Sequence, residues 1–219
     1  MSEVLLLTGG RGHPAEATAA TLTQAFGDLG LGVDATDDVE GGLERLDAGR
    51  HVLLAVNALQ FTMTDPRYDE VREAEAFTLS PAGRSSIEAW HAGGGPILAI
   101  HTALLCFDDW PGWASIVGGR WDWSRSSHPP IGTVEVQAGD HDFTVVDECY
   151  QDLDIDPGVE VVAASAGGHP LAWFRPRFRD QGSGAVAVDL LGHDHRSLDH
   201  PGHRRLLRGL VERLRETDS

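Results

Sequence analysis

The sequence predicts an α/β fold with a mainly parallel central sheet. Three observations support this. Residues 4–7, 52–56 and 96–100 are short apolar runs with no polar face, the pattern of strands buried on both sides. Segments with apolar residues at helical spacing separate them, so the first hundred residues read β-α-β-α-β-α-β. Right-handed crossovers then set the carboxyl ends of the strands along one edge of the sheet, where such folds place their chemistry.

In chain order, residues 4–8 form the first strand, and Gly9, Gly10, Arg11, Gly12 and His13 the loop after it. Pro14 suits a helix first turn. Ala15, Ala19, Leu22, Phe26 and Leu29 carry a helical period that ends near Gly30. The glycines lack GxGxxG spacing, so a dinucleotide cradle is not indicated. Residues 33–36 read as a strand, 39–46 as a short helix and 52–56 as the third strand, with Asn57 at its carboxyl edge. Residues 60–77 read as a loop with a helical piece. Ser80 and Pro81 cap the next helix, which carries Ile87 and Trp90 and stops at Gly93-Gly94-Gly95.

The chain is organised around the stretch from Gly93 to Leu105. Residues 96–100 are the fourth strand, and His101 comes directly after it. Ala103, Leu104, Leu105 and Cys106 read as the start of another helix, and small neighbours suit a tight turn that presents the His101 ring outward. Such a histidine is either packed and hydrogen-bonded or a functional group at the sheet edge. Beyond it, Trp110, Trp113, Trp121 and Trp123 fall in one glycine-containing region. They read as aromatic packing over a core or, alternatively, as a sugar-stacking platform. Residues 132–137, 159–164, 171–174 and 184–190 are further strands. Leu206, Leu207, Leu210, Val211 and Leu214 mark a closing amphipathic helix. No repeat or linker interrupts the chain, so residues 1–219 are expected to form a single domain.

Composition excludes several functions. A formal net charge of -17 repels nucleic-acid backbones and anionic membranes, and no apolar run reaches the length of a membrane span. All 17 basic residues are Arg, which removes Schiff-base chemistry and the P-loop lysine. Cys106 and Cys149 have no CxxC partner and fit a reducing cytoplasm as small hydrophobes. No leader is evident, and a cytoplasmic location is expected.

Histidines are the chemical signal. His101, His128, His141, His169, His193 and His195 lie in loops beside predicted strand ends, which in a parallel sheet can converge. Neutral imidazoles bind Zn or similar divalent metals. His193 and His195, two apart in an extended segment, would point to one side. Glu148 is either a general base, a hydroxyl acceptor or a loop charge. Arg120 either orients a ligand or pairs with an acid. No Ser or Cys sits in a nucleophile turn.

These segments together resemble the ThuA-like (trehalose-utilisation) family, within the class I glutamine amidotransferase-like superfamily. The matching pieces are GGGPILAIHTA (93–103), FDDWPGW and VGGRW (107–121), SSHPP (126–130), GDHDFT (139–144), DECY (147–150), GHPLAWFR (168–175), GSGAV (182–186) and LLGHDH (190–195). The resemblance implies a flavodoxin-like three-layer sandwich. Amidotransferases of the superfamily carry a Cys on the turn after the central strand, where this chain has His101. The superfamily's catalytic His would fall near His193 and its acidic partner near His195. Without the thiol, glutaminase activity is not expected. Residues 175–180 depart from the family pattern as an insertion-like stretch.

The expected function is therefore chemistry on a small sugar or keto-sugar. His101, His193 and Glu148 would be catalytic, or His101, His193 and His195 would hold a divalent metal such as Zn. His13, Asn57, Arg120, Trp121, His128 and His169 would bind the carbohydrate. The alternatives are a non-catalytic sugar-binding or regulatory module and a structural interaction protein. A homo-oligomer is left open.

Overall fold

The computed structural model describes residues 3–139, 141–177 and 183–216. The first half comprises β1 (Glu3–Gly10), α1 (Ala15–Gly27), β2 (Gly32–Thr36), α2 (Val39–Glu44), β3 (His51–Leu59), α3 (Arg72–Glu75), α4 (Pro81–Ala92) and β4 (Ile97–Ile100). The second comprises α5 (Pro111–Val117), β5 (Gly119–Arg120), β6 (Gly132–Gln137), β7 (Phe143–Asp147), β8 (Asp154–Ile155), β9 (Glu160–Ser165), β10 (Pro170–Arg175), β11 (Val186–Asp189), α6 (His195–Leu198) and α7 (Pro201–Glu216).

Among the described residues nine strands form one mixed sheet in the order β2-β1-β3-β4-β11-β10-β9-β6-β7, and β5 pairs with β8 apart from it. The five strands from β2 to β11 run parallel, whereas the remaining four join antiparallel. The expected mainly parallel sheet thus holds for only one side. The reason lies in the connections. Residues 166–169 join β9 to β10 and residues 138–142 join β6 to β7, too short for a parallel crossover, which needs a dozen or more residues.

Strand alternation divides the core. Val4 and Leu6 enter one apolar cluster with Leu22 and Phe26 of α1 and Leu206, Leu207 and Leu210 of α7. Leu5 and Leu7 enter the other with Leu43 of α2, Ile87 and Trp90 of α4, and Trp113 of α5. Each such fully buried side chain contributes about 1.5–3 kcal/mol of transfer free energy. Ser80 caps α4 as its sequence indicates, its Oγ accepting from the Gly83 amide at 3.0 Å. None of the described helices is long and apolar enough to cross a membrane.

Two local expectations are corrected. The residues after β4 form a short 3-10 helix, His101–Leu105, rather than an α-helix, and the α-helix begins later, at Pro111. The His101 ring points inward and is 1 % exposed. Of the insertion-like stretch, residues 178–180 lie outside the described residues, as do Asp140 and Gly182 of the quoted motifs.

Candidate functional site

Four chain segments meet at the carboxyl edge of the parallel strands. Gly10, at φ +95°, ends β1 so close to β3 that a Cβ would strike the Leu59 carbonyl. This left-handed turn, open only to glycine at no cost, starts the loop that delivers His13. His101 follows β4 with φ +52°. A left-handed non-glycine residue carries backbone strain of about 1–3 kcal/mol, and such strain gathers at functional sites. Gly192, at φ +114°, turns the chain after β11 and sets His193 beside them.

Glu148 arrives by a route the sequence does not reveal. It follows β7, the last strand in the sheet order, four places from β11. In a flat sheet four inter-strand steps would separate the two by about 19 Å. Instead, the Asp147 carboxylate accepts from the Gly192 amide at 2.6 Å and the His193 amide at 3.2 Å, so the antiparallel extension folds back. Asp147 is 1 % exposed, and burial raises its pKa. By clamping the 192–193 turn it holds Glu148 against His193.

The result is a compact cluster. One nitrogen from each of His13, His101 and His193 and one carboxylate oxygen of Glu148 all lie within 4.8 Å of one another. His101 Nε2 is 3.2 Å from His13 Nε2 and 3.5 Å from Glu148 Oε2. His193 Nδ1 and His128 Nδ1 approach Glu148 Oε1 at 3.5 and 3.6 Å. The His193 Nδ1 is buried without a hydrogen-bond partner. Burial, and then the neighbouring His13, pull His101 well below the usual histidine pKa. Burial likewise takes His13 down to about 4. Both rings are therefore neutral at physiological pH. Tyr150 stacks on His101 at 5.2 Å, and burial followed by the Glu148 charge raises its pKa well above the usual tyrosine value.

Two members of the cluster, His13 and Glu148, line a cavity of about 250 Å³ walled by the aromatic rings of Phe61, Tyr68, Trp121, Trp123 and Tyr150, with Arg67 also in its lining, while His101 and His193 lie behind them around a separate small void. Trp123 stacks on Phe61 at 5.6 Å, and Trp121 meets Tyr150 edge-on at 5.3 Å. A larger cleft of about 750 Å³ lies across Trp121 and Trp123, which line both. It contains none of the clustered imidazoles, so the smaller cavity is the candidate site on chemical grounds.

The placement of the residues singled out in the sequence follows from this geometry. His13, His101, His193 and Glu148 come together; Trp121 and His128 line the aromatic cavity. Asn57 borders a small void shared with His13, His101 and His193, its amide donating toward the Ile100 carbonyl at 3.5 Å. Three do not join. His195 is exposed at the first position of α6, the helix that Asp194 caps through the Arg196 amide, and it lies outside the cluster. Arg120 is exposed and pairs with Asp154 at 2.8 Å, beside the larger cleft. His169 sits in the β9–β10 turn, where its amide donates to Ser165 Oγ, and it belongs to neither the cluster nor the cavity lining. Sequence reasoning missed Phe61, Tyr68 and Arg67, which lie in a segment without periodicity.

A family model described as trehalose utilisation matches residues 3–212. No curated protein matches the chain. Among solved structures, a ThuA-like protein from Parabacteroides merdae superposes with a TM-score of 0.73 at 16% identity, covering 97% of this chain and 90% of that one. One from Bacteroides uniformis gives 0.64 at 18% identity, covering 97% and 91%. A GH42 beta-galactosidase from G. stearothermophilus gives 0.60 at 14% identity over 98% of this chain but 30% of that one. At these identities the likeness is one of fold.

Proposed function

The chain belongs to the ThuA family, and on that premise we propose that it acts on a small sugar or keto-sugar bound in the aromatic-walled cavity above the histidine cluster. The observation that carries this is the joining of the two features. An imidazole–carboxylate cluster reaches, through His13 and Glu148, a cavity whose walls are aromatic faces. Aromatic faces stack on the apolar side of a sugar ring, and polar groups at one end orient its hydroxyls or carbonyl. The volume of about 250 Å³ is below the range of about 300–1,000 Å³ for drug-sized ligands and suits a single sugar unit.

Within this reading His101, His193 and Glu148 carry the chemistry, either by proton transfer or through a divalent cation that they hold. His13 joins them. His128, whose ring is exposed beside Glu148, offers a polar contact to the sugar hydroxyls. Trp121 and Asn57 belong to the binding surface. The two apolar clusters support a flavodoxin-like three-layer arrangement acting as one domain. Glutaminase chemistry has no thiol to carry it. The turn holds His101, and Cys106 donates to the Ala58 carbonyl with its thiol pushed up to about 12 by burial. A ligand screen with monosaccharides, disaccharides and their keto forms, read by melting temperature, tests the proposal. A rise abolished in His193→Ala is expected, and no rise with any of them overturns it. The burial of His101 favours a second reading, a non-catalytic sugar-binding module, which binding without turnover would support.

A further inference from the structure

The protons available to the histidine cluster do not suffice to join it. A carbonyl oxygen only accepts, so His101 Nδ1, 2.9 Å from the Leu190 carbonyl, carries the hydrogen. The Nε2 of a neutral His101 is then a bare lone pair. His13 Nδ1 faces the Arg11 carbonyl at 3.3 Å, which leaves His13 Nε2 bare as well. These two lone pairs confront one another at 3.2 Å, with a Glu148 oxygen 3.5 Å from His101 Nε2. The other tautomer of His13 only moves the conflict to Arg11. His193 Nδ1 is also buried and unpartnered. Three imidazole nitrogens and a carboxylate thus converge with too few hydrogens between them.

We propose that His13 Nε2, His101 Nε2, His193 Nδ1 and Glu148 together bind one divalent transition-metal cation beside the aromatic cavity, which His13 and Glu148 line. Metal–ligand bonds of about 2.1 Å at tetrahedral angles set ligands about 3.4 Å apart. The 3.2 and 3.5 Å separations bracket that spacing. Imidazole with carboxylate suits Zn²⁺ and its first-row neighbours better than Mg²⁺ or Ca²⁺. The carbonyls of Leu190 and Arg11 serve as the outer partners that fix each ring's tautomer. His195 is not a ligand, because it lies exposed on α6.

The same proton count rejects the second candidate cluster, Glu3, Asp34 and His51. There His51 Nδ1 accepts from the Asp47 amide at 3.1 Å, so Nε2 carries the hydrogen; it lies 3.5 Å from Asp34 Oδ2 without a hydrogen bond between them. That ring has no lone pair to offer an ion.

The proposal rests on the carbohydrate reading for what the cation does, not for whether it binds. The test uses full-length protein without a histidine tag, stripped by chelator and titrated with Zn²⁺ and Co²⁺ by calorimetry. One equivalent is expected, with a Co²⁺ visible spectrum of nitrogen–oxygen coordination. Glu148→Gln and His193→Ala, both at partly exposed positions, should weaken binding by at least about tenfold to a hundredfold, and His195→Ala should not. Circular dichroism confirms that each variant is folded. No binding, or one equivalent indifferent to Glu148→Gln and His193→Ala, overturns the proposal. So does an imidazolium signal showing a proton held between His13 and His101 in metal-treated protein. Sugar binding to the stripped protein is scored separately, so either proposal can fail alone.

Discussion

His101 and His203 flank the end of β11, and each is 1 % exposed, yet their surroundings are opposite. His203 Nε2 pairs with Asp189 Oδ2 at 3.0 Å and its Nδ1 with Ser197 Oγ at 2.9 Å. The second Asp189 oxygen accepts from the Leu191 amide. Burial opposes a charge on His203, but Asp189 prevails and its pKa is raised. For His101 burial prevails, reinforced by the neighbouring His13, and its pKa falls. One histidine is satisfied by its own fold, whereas the other faces lone pairs, on a strained turn, behind the residues that line the cavity. Burial alone therefore does not distinguish a structural histidine from a functional one; the identity of the partner does.

The comparison breaks most sharply at Asp189. Asp189→Ala strands a buried imidazole beneath the sheet edge and should cost about 3–5 kcal/mol in denaturant unfolding. His193→Ala removes a half-buried ring with no hydrogen-bonded nitrogen at Nδ1 and should cost less than about 1 kcal/mol while ligand binding is lost. Equal costs for the two would erase the distinction.

Acid sharpens it next. His13 and His101 have lowered folded pKa values, so below about 6.5 the unfolded chain binds more protons than the folded one. Stability from this source is present above that pH and is lost as pH falls toward about 4. For His13 the full loss is about 3 kcal/mol. His203 slopes the other way: its raised pKa stabilises at low pH, and the benefit fades as pH rises through the folded value. Other carboxylates titrate too, so the informative measurement is a difference. His13→Gln should flatten the decline between pH 6.5 and 4, and an unchanged profile would mean that the His13 ring is not held neutral.

The parallel half was legible because its strands are continuous apolar runs separated by helical periods, and His101 stood out as the polar residue ending one of them. The antiparallel half was less so. Its strands alternate, as β6 does, and nothing local says which edge they join or that β7 folds back to place Glu148 beside His193. The alternation that relates His193 to His195 does not bring both to one place, because His195 already belongs to the helix that Asp194 caps and lies outside the cluster. Of the two roles open to Arg120 in the sequence, the structure shows the pairing with an acid, Asp154, beside the larger cleft. Phe61, Tyr68 and Arg67 come from a segment with no period at all, and its packing against Trp123, with hydrogen bonds from Thr62 to Asp108, places it at the cavity.

The smallest expected effect tests whether the wall of the unsatisfied region is a binding surface or merely packing. Trp123 is partly exposed, stacks on Phe61 at 5.6 Å and lines the cavity opposite the cluster. If a sugar ring lies against that wall, Trp123→Ala removes one stacking contact of about 1 kcal/mol, or about fivefold in affinity. Affinity for Zn²⁺ should stay unchanged, because the indole touches none of the four proposed ligands. If Trp123 only packs, stability falls and sugar affinity does not. Isothermal titration of the wild type and Trp123→Ala with the best sugar from the screen separates the two. A variant that loses metal affinity would show instead that the wall and the cluster are one structural unit, and the contrast between a satisfied interior and a poised site would have to be redrawn around Tyr150, the ring that touches both.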